Sequence, residues 1–326
     1  MAARAGVTWR WSRFGLGVLY AVPAMAVAPF DPAVALALSI GVLPAAVVGL
    51  PARRRARSAI PVLGTLVALG LLLGATLALV PVLAVLAVAV LAVLASMLAA
   101  RERAGQLALT LVLPMVGIGL SFPLSTTTVL LAGAIVAGSV YAWLIALLWP
   151  EHEAGVRAAA SMPKGRALLM YGFLLGAAAA TAAAIGFATG VEHVGWATGA
   201  VLLVMRPVRG QLVLRSVGRA ASVLVGALVA AGFALLSPSG VAIGLAIGVV
   251  VGCLGAVQES RWYVAPAFTT FLVLTLLLST SDESPTSRFL ERTLETLLGV
   301  ALALFFGVLV PTLLAMRRPS RADVSE

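Results

Sequence analysis

Charge is what this sequence has least of. Only 10% of its 326 residues are Asp, Glu, Lys or Arg, against about 25% in an average soluble domain, so the chain cannot cover its own surface in water. Lysine occurs once, in Met162–Pro163–Lys164–Gly165. That is not a Gly-rich phosphate loop, which excludes a Walker-type nucleotide site. The single cysteine, Cys253, sits in an apolar run and excludes both a disulfide framework and a thiolate metal site. The two histidines, His152 and His193, fall between apolar runs, and no Ser-His-Asp or Cys-His set can be assembled inside them. The residues therefore argue against an enzyme and call for no cofactor and no metal.

What fills the space is 62% hydrophobic residue, in runs of roughly 16–24, long enough to span a bilayer as helices. A barrel would instead alternate over segments of about ten residues. In hydrocarbon every backbone polar group must be satisfied internally, and helices do that. We expect an all-α polytopic membrane protein with helices near 13–28, 33–50, 58–79, 81–100, 106–122, 126–149, 166–188, 194–206, 216–236, 239–257, 262–279 and 288–314. Residues 58–100 as one helix would be about 63 Å long, twice a bilayer core, so Pro81 is the expected break. The start of the chain, Arg4, Arg10 and Arg13 before an apolar stretch with Ala24–Met25–Ala26, has the outline of a secretory signal. It is read as a retained first span, because an equivalent helix recurs later.

Segment 194–206 is short for a span, and charge settles how it is read. With twelve spans and both termini cytoplasmic, 20 of the 22 basic residues fall on one side, the positive-inside pattern. Arg53, Arg54, Arg55, Arg57, Arg101, Arg103, Arg157, Arg206, Arg209, Arg215, Arg219, Arg261, Arg317, Arg318 and Arg321 are among them. If 194–206 did not cross, four of these arginines would move outside. The net charge of +10 then reflects topology and attraction to anionic lipid heads and does not point to nucleic acid.

The chain is also written twice. Pro51 and Pro207 each end a second helix, 156 positions apart; Arg57–Ser58 matches Arg215–Ser216 and Arg103 matches Arg261 at 158; Pro150 matches Pro311 at 161. Six helices are an even number, so both copies enter the membrane in the same orientation, a parallel repeat. The expected organisation is a first six-helix repeat over 1–150, a cytoplasmic linker over 151–165, a second repeat over 166–314 and a tail over 315–326. Such a layout offers a path between its halves; it would equally serve a scaffold. Gly240, Gly244, Gly248 and Gly252, and again Gly172 and Gly176, make small-residue faces suited to close helix packing.

Charges inside spans are costly, so the exceptions carry the functional expectation. Arg288, Arg292, Glu295 and Gly299 share one face of the last helix, with Arg288–Glu291 and Arg292–Glu295 spaced to pair at i+3. These charges either neutralise one another at an outer interface, or Arg292 holds an anion while Glu291 or Glu295 exchanges a proton. Arg206, Arg209, Arg215 and Arg219 run from the cytosol into the ninth span. They anchor the chain to lipid phosphate or gather organic anions, a task suited to the planar guanidinium. Thr269 and Thr270 after Pro266, with Tyr263 nearby, either line a path or bond between helices.

Gly195–Trp196–Ala197–Thr198, the run through Met205–Arg206–Pro207 to Arg215, Arg219 and Gly226, and the closing Arg288–Phe289–Leu290–Glu291–Arg292 to Gly299 resemble the fusaric-acid-resistance (FUSC-like) and aromatic acid exporter families. The resemblance covers roughly 165–311. It implies a bacterial inner-membrane secondary transporter that exports aromatic or other organic acids on the proton gradient. Arg206, Arg215, Arg219, Arg292, Thr269 and Thr270 would then meet the anion, and Glu291 and Glu295 would couple or gate. An anion channel and a non-transport scaffold or accessory subunit are the alternatives. Implied partners are membrane lipids and a small organic anion, with room for a homo-oligomer. Two departures stand out: the linker is about fifteen residues where many members carry a large soluble domain, and Ala220–Ala221–Ser222 replaces a common Gly-Thr.

Overall fold

The computed structural model describes residues 8–151, 162–258, 262–280 and 284–316. His152, Arg157, Arg261, Arg317, Arg318, Arg321 and most of the expected linker lie outside them. Among the described residues there is no strand, and twelve apolar helices follow one another. They are α1 (Trp11–Val27), α2 (Pro32–Ala46), α3 (Arg54–Leu77), α4 (Pro81–Arg101), α5 (Ala104–Gly119), α6 (Thr126–Leu148), α7 (Arg166–Thr189), α8 (Gly195–Val204), α9 (Arg209–Leu235), α10 (Gly240–Ala256), α11 (Ala265–Thr280) and α12 (Pro285–Leu314). Six of them, α3, α4, α6, α7, α9 and α12, are long and apolar enough to cross a bilayer by themselves.

Local chemistry explains where several helices begin. Asp31 accepts from Val34 N at 3.0 Å and Ser284 accepts from Ser287 N at 3.1 Å, each with a proline at the first helical position. These caps satisfy amide donors that the helix itself leaves free. Ser125 and Ser239 do the same for α6 and α10. Pro81 opens α4 as expected. Helix α9 starts earlier than expected, at Arg209 rather than 216, so Arg209 and Arg215 lie on its first two turns. The basic stretch continues the amphipathic pattern of the helix, which cationic side chains at its solvated end do not interrupt. Pro114 and Pro311 each follow a π-turn, 108–112 and 305–309; the wider turn accommodates the amide a proline cannot supply.

Packing is reciprocal between the halves. Helix α1 lies along α10, and α7 lies along α4. Likewise α3 packs on α5 and α6 as α9 packs on α11 and α12, and α2 meets α6 and α11 as α8 meets α12 and α5. Both of the long inter-half crossings are built on glycine. A Cβ on Gly17 would strike the Val251 carbonyl and one on Gly176 the Ala89 carbonyl, so the backbones touch where no hydrophobic effect drives helices together. The glycine stripe of α10 faces Ala28, Met25, Val18 and Phe14 of α1. Each of the two large apolar cores draws residues from both halves, so the halves interlock.

The short segment 194–206 takes a distinct form. Helix α8 has ten residues, about 15 Å at 1.5 Å per residue, half a hydrocarbon core. Every residue of it except Leu203 is buried, enclosed by α5, α7, α9 and α12. A helix wrapped by protein has no lipid thickness to match. Outside, α4, α9 and α10 expose rows such as Leu86, Val90 and Leu94, or Val217, Leu224 and Leu228. Rows of this kind suit a hydrocarbon solvent and would be an aggregation liability in water.

A buried charged track in the second half

Helix α12 turns Arg288, Arg292, Glu295, Thr296 and Gly299 inward, the face expected from their spacing. A Cβ on Gly299 would strike the Ala197 carbonyl, which seats this face of α12 against α8. Against its first turns lies the α7–α8 turn. Arg288 makes a two-pronged pair with Glu192, Nη1 to Oε2 at 2.7 Å and Nη2 to Oε1 at 3.0 Å. Its Nη1 also donates to Glu291 Oε2 at 3.0 Å, and His193 Nδ1 stands 2.9 Å from Glu291 Oε1. The His193 ring stacks on Trp196 at 4.1 Å between centroids, and the Arg292 guanidinium lies 4.4 Å from the Trp196 ring centre. An indole is the best aromatic partner for a cation.

Below this network the pairing stops. Glu295 is 7% exposed and both of its carboxylate oxygens lack a hydrogen-bond partner; the same holds for Nε of Arg292 and Nε of Arg219. The i+3 spacing had suggested an Arg292–Glu295 ion pair. Among the described residues none forms, because Arg292 reaches towards Trp196. Arg219 of α9 lies within Coulombic range of Arg292, which itself lies in the field of Glu295 and Glu291. On the same helices and on α8, the hydroxyls of Ser216 (α9), Thr296 (α12) and Thr198 (α8) are buried and equally without partners. Unpartnered polar groups in a low-dielectric interior are costly, and a like-charged pair costs more.

The remaining arginines continue the line to the opposite end of α8. Arg206 donates from Nη1 to Met205 O at 2.6 Å, the same carbonyl that accepts from Tyr171 OH at 3.3 Å. Burial draws the Arg206 guanidinium below its ordinary range, and the neighbouring Tyr171 partly offsets this. Arg215 is electrostatically coupled to both and stands one turn before Arg219 on α9. The structure therefore brings together Arg206 and Arg215 at one end, and Arg219, Arg292, Glu291 and Glu295 further along. Thr269 donates to Pro266 O of its own turn at 3.2 Å, and Thr270 is buried within α11. Glu192, His193 and Trp196 were not singled out from their spacing as parts of a charged site. They lie about a hundred residues from α12 in sequence, and only tertiary packing joins them.

Glu192, His193 and Glu291 also form a trio with metal-ligand spacing, their donor atoms within 4.8 Å. Arg288 bonds to both carboxylates, so a guanidinium supplies the positive charge a cation would bring. The Glu192 carboxyl is held below its ordinary range, chiefly by the hydrogen bond from Arg288. A depressed folded-state pKa gives stability that is complete above the usual carboxylate range and lost as pH falls through the depressed value. Thermal midpoints of wild type and Glu192→Gln should therefore differ by a constant amount above about pH 5 and converge as the pH falls through the depressed value.

Among the described residues, the first half holds no counterpart of Arg219, Arg292 and Glu295. Subtracting the repeat offsets of 158 and 161 from Arg219, Arg292 and Glu295 gives Pro61, Leu131 and Ala134. The track belongs to one half, whereas the repeat alone suggested a path between two. An all-helical, multi-pass membrane protein with a line of buried polar side chains in its second half is the class these features define. Residues 169–306 match the family described as fusaric acid resistance protein-like, which bears out the resemblance over the stretch that carries the track and relates the chain to membrane transport. No curated protein and no solved structure matches it.

Proposed function

We propose that the chain is a secondary transporter that exports organic anions, aromatic acids among them, across a bacterial cytoplasmic membrane. The observation that carries this reading is the two buried arginines Arg219 and Arg292, on different helices and within Coulombic range, each with an unpartnered Nε. A carboxylate is the complementary ligand, since it accepts from planar guanidinium forks and hydroxyls together. Arg206 and Arg215 gather the anion at the cytoplasmic end and Arg219 and Arg292 receive it within the membrane. On this reading the interlocked repeats form the frame, and the second repeat supplies the path.

Glu295 is the coupling residue in this scheme. Its carboxylate and the bound anion compete for the field of Arg292, so proton occupancy and anion occupancy are linked and the proton-motive force enters here. Glu291 and His193 give the proton a route from the α7–α8 turn. Glu295→Gln removes the titration and keeps the shape. In proteoliposomes it should leave anion exchange measurable and reduce its response to an imposed pH gradient by about tenfold; an unchanged response shows that coupling lies elsewhere. Currents that follow voltage and ignore the proton gradient would favour an anion channel. Absence of flux with a stably co-purified partner would favour a scaffold.

A further inference from the structure

The indole of Trp196 is 2% exposed, and the packing of α8 fixes its place. Gly195 N donates to Ser121 Oγ at 2.8 Å, just past the end of α5. A Cβ on Gly195 would strike the Gly117 carbonyl and one on Gly199 the Ile118 side chain, so these glycines let α8 lie close against α5. On the opposite side, Gly299 of α12 meets the Ala197 backbone. Trp196 N donates to His193 O at 3.0 Å, and the His193 ring stacks on the indole with 18° between the planes. His193 is held in turn by Glu291 at 2.9 Å.

Arg292 therefore has two partners to choose between. Glu295 stands at i+3 on its own helix, a spacing at which guanidinium and carboxylate pair. The fixed indole stands on the facing helix, and Arg292 takes it, 4.4 Å from the ring centre, so both Glu295 oxygens stay unpartnered. The other charges whose field reaches Glu295 are Glu291 on its own helix and Glu192 from the α7–α8 turn. Both of those carboxylates already accept from Arg288. With the indole gone, Glu295 is the one nearby carboxylate still open to the Arg292 guanidinium, and a buried charge without a partner is costly enough to drive the pairing.

We infer that Trp196 is a positioning residue: by holding the Arg292 guanidinium it keeps Glu295 out of an ion pair and available to exchange a proton. The use made of that proton rests on the transport reading; the positioning does not, and its test needs no flux. A hydrophobic carbodiimide adds across a carboxyl O–H, its carbon joining the oxygen and its nitrogen taking the proton, so a carboxylate locked to a guanidinium reacts far more slowly. Full-length protein in neutral detergent is treated with dicyclohexylcarbodiimide, and modification of Glu295 is followed by peptide mass spectrometry. Trp196→Leu should lower the Glu295 labelling rate by about tenfold, in line with the strength of a desolvated cation–π contact. Trp196→Phe keeps a weaker aromatic face and should fall between the two. Trp196→Leu combined with Arg292→Ala has no guanidinium to pair and should label at least as fast as wild type. Loosened packing alone has the opposite sign, because a more open site admits the reagent faster. A rate at or above wild type in Trp196→Leu or in Trp196→Phe, or a slow rate that persists in the double variant, would overturn the assignment. Wild-type vesicles that carry no acid would sink the transport reading and leave the labelling result standing.

Discussion

If the proposed function holds, Arg292→Ala is expected to lower organic-anion flux by about a hundredfold while the protein still folds, and Arg219→Ala to do nearly the same. Truncating one member of a desolvated charge constellation costs about 2–5 kcal/mol, and a hundredfold corresponds to about 2.7 kcal/mol. Folding is spared because neither guanidinium satisfies a structural carbonyl: Arg292 packs on Trp196, and Nε of each is unpartnered. Arg292→Ala gives up the Trp196 contact and the field on Glu295 while relieving repulsion from Arg219, so its midpoint should fall by much less than that of Arg57→Ala. Arg292→Lys keeps the charge and loses the planar face against the indole, and should recover only part of the flux. Initial rates in proteoliposomes, set beside thermal midpoints of the same preparations, check both halves of the expectation. Normal flux in both alanine variants would make these charges structural.

Arg57→Ala does the opposite, unfolding the protein without touching the track. Arg57 is fully buried. Its guanidinium donates to Pro51 O at 3.1 Å, Trp149 O at 2.7 Å, Pro150 O at 3.0 Å and to the Ala146 carbonyl. It thus caps the C-terminus of α6 and ties it to the start of α3, where the free carbonyls and the helix dipole both favour a cation. Hydrogen bonds to a charged group contribute about 1.5–3 kcal/mol each and orphaned buried carbonyls cost about 1–3, so the loss of four contacts should destabilise by at least about 3 kcal/mol. Against a stability of about 5–15 kcal/mol that is a large fraction. The expected readout is loss of the monodisperse peak in detergent, with Arg57→Lys intermediate because an ammonium reaches fewer of the four acceptors.

Arg57, Arg219 and Arg292 show what was legible in the sequence. Arg57 and Arg215 are matched by the repeat, and their basic surroundings read as topology. That Arg57 closes a helix end, and that Arg219 comes within Coulombic range of Arg292, depends on α3 packing on α6 and α9 on α12, which no local pattern encodes. Apolar run length located most helices to within a few residues, and Pro81 divided α3 from α4. The start of α9 was missed because arginines on its first turns look like a loop to a hydropathy reading. The inward face of α12 followed from i, i+4, i+7 spacing. Its partners did not, since Glu192 and His193 sit in a turn whose position is set by the burial of α8. The interlocking of the halves was likewise invisible: a repeat in sequence states equivalence, while the pairing of α1 with α10 and α4 with α7 is a property of the packed chain. The apolar counterparts Pro61, Leu131 and Ala134 were in view from the start, but only the geometry shows that they leave the first half without a charged line.

The most direct test of the transport reading is efflux of a radiolabelled aromatic acid from proteoliposomes holding the wild-type protein, with and without an imposed proton gradient. The account predicts saturable, gradient-dependent efflux that falls to the level of protein-free vesicles in Arg292→Ala. Wild-type efflux no faster than from protein-free vesicles, or efflux untouched by the Arg292 substitution, would contradict it.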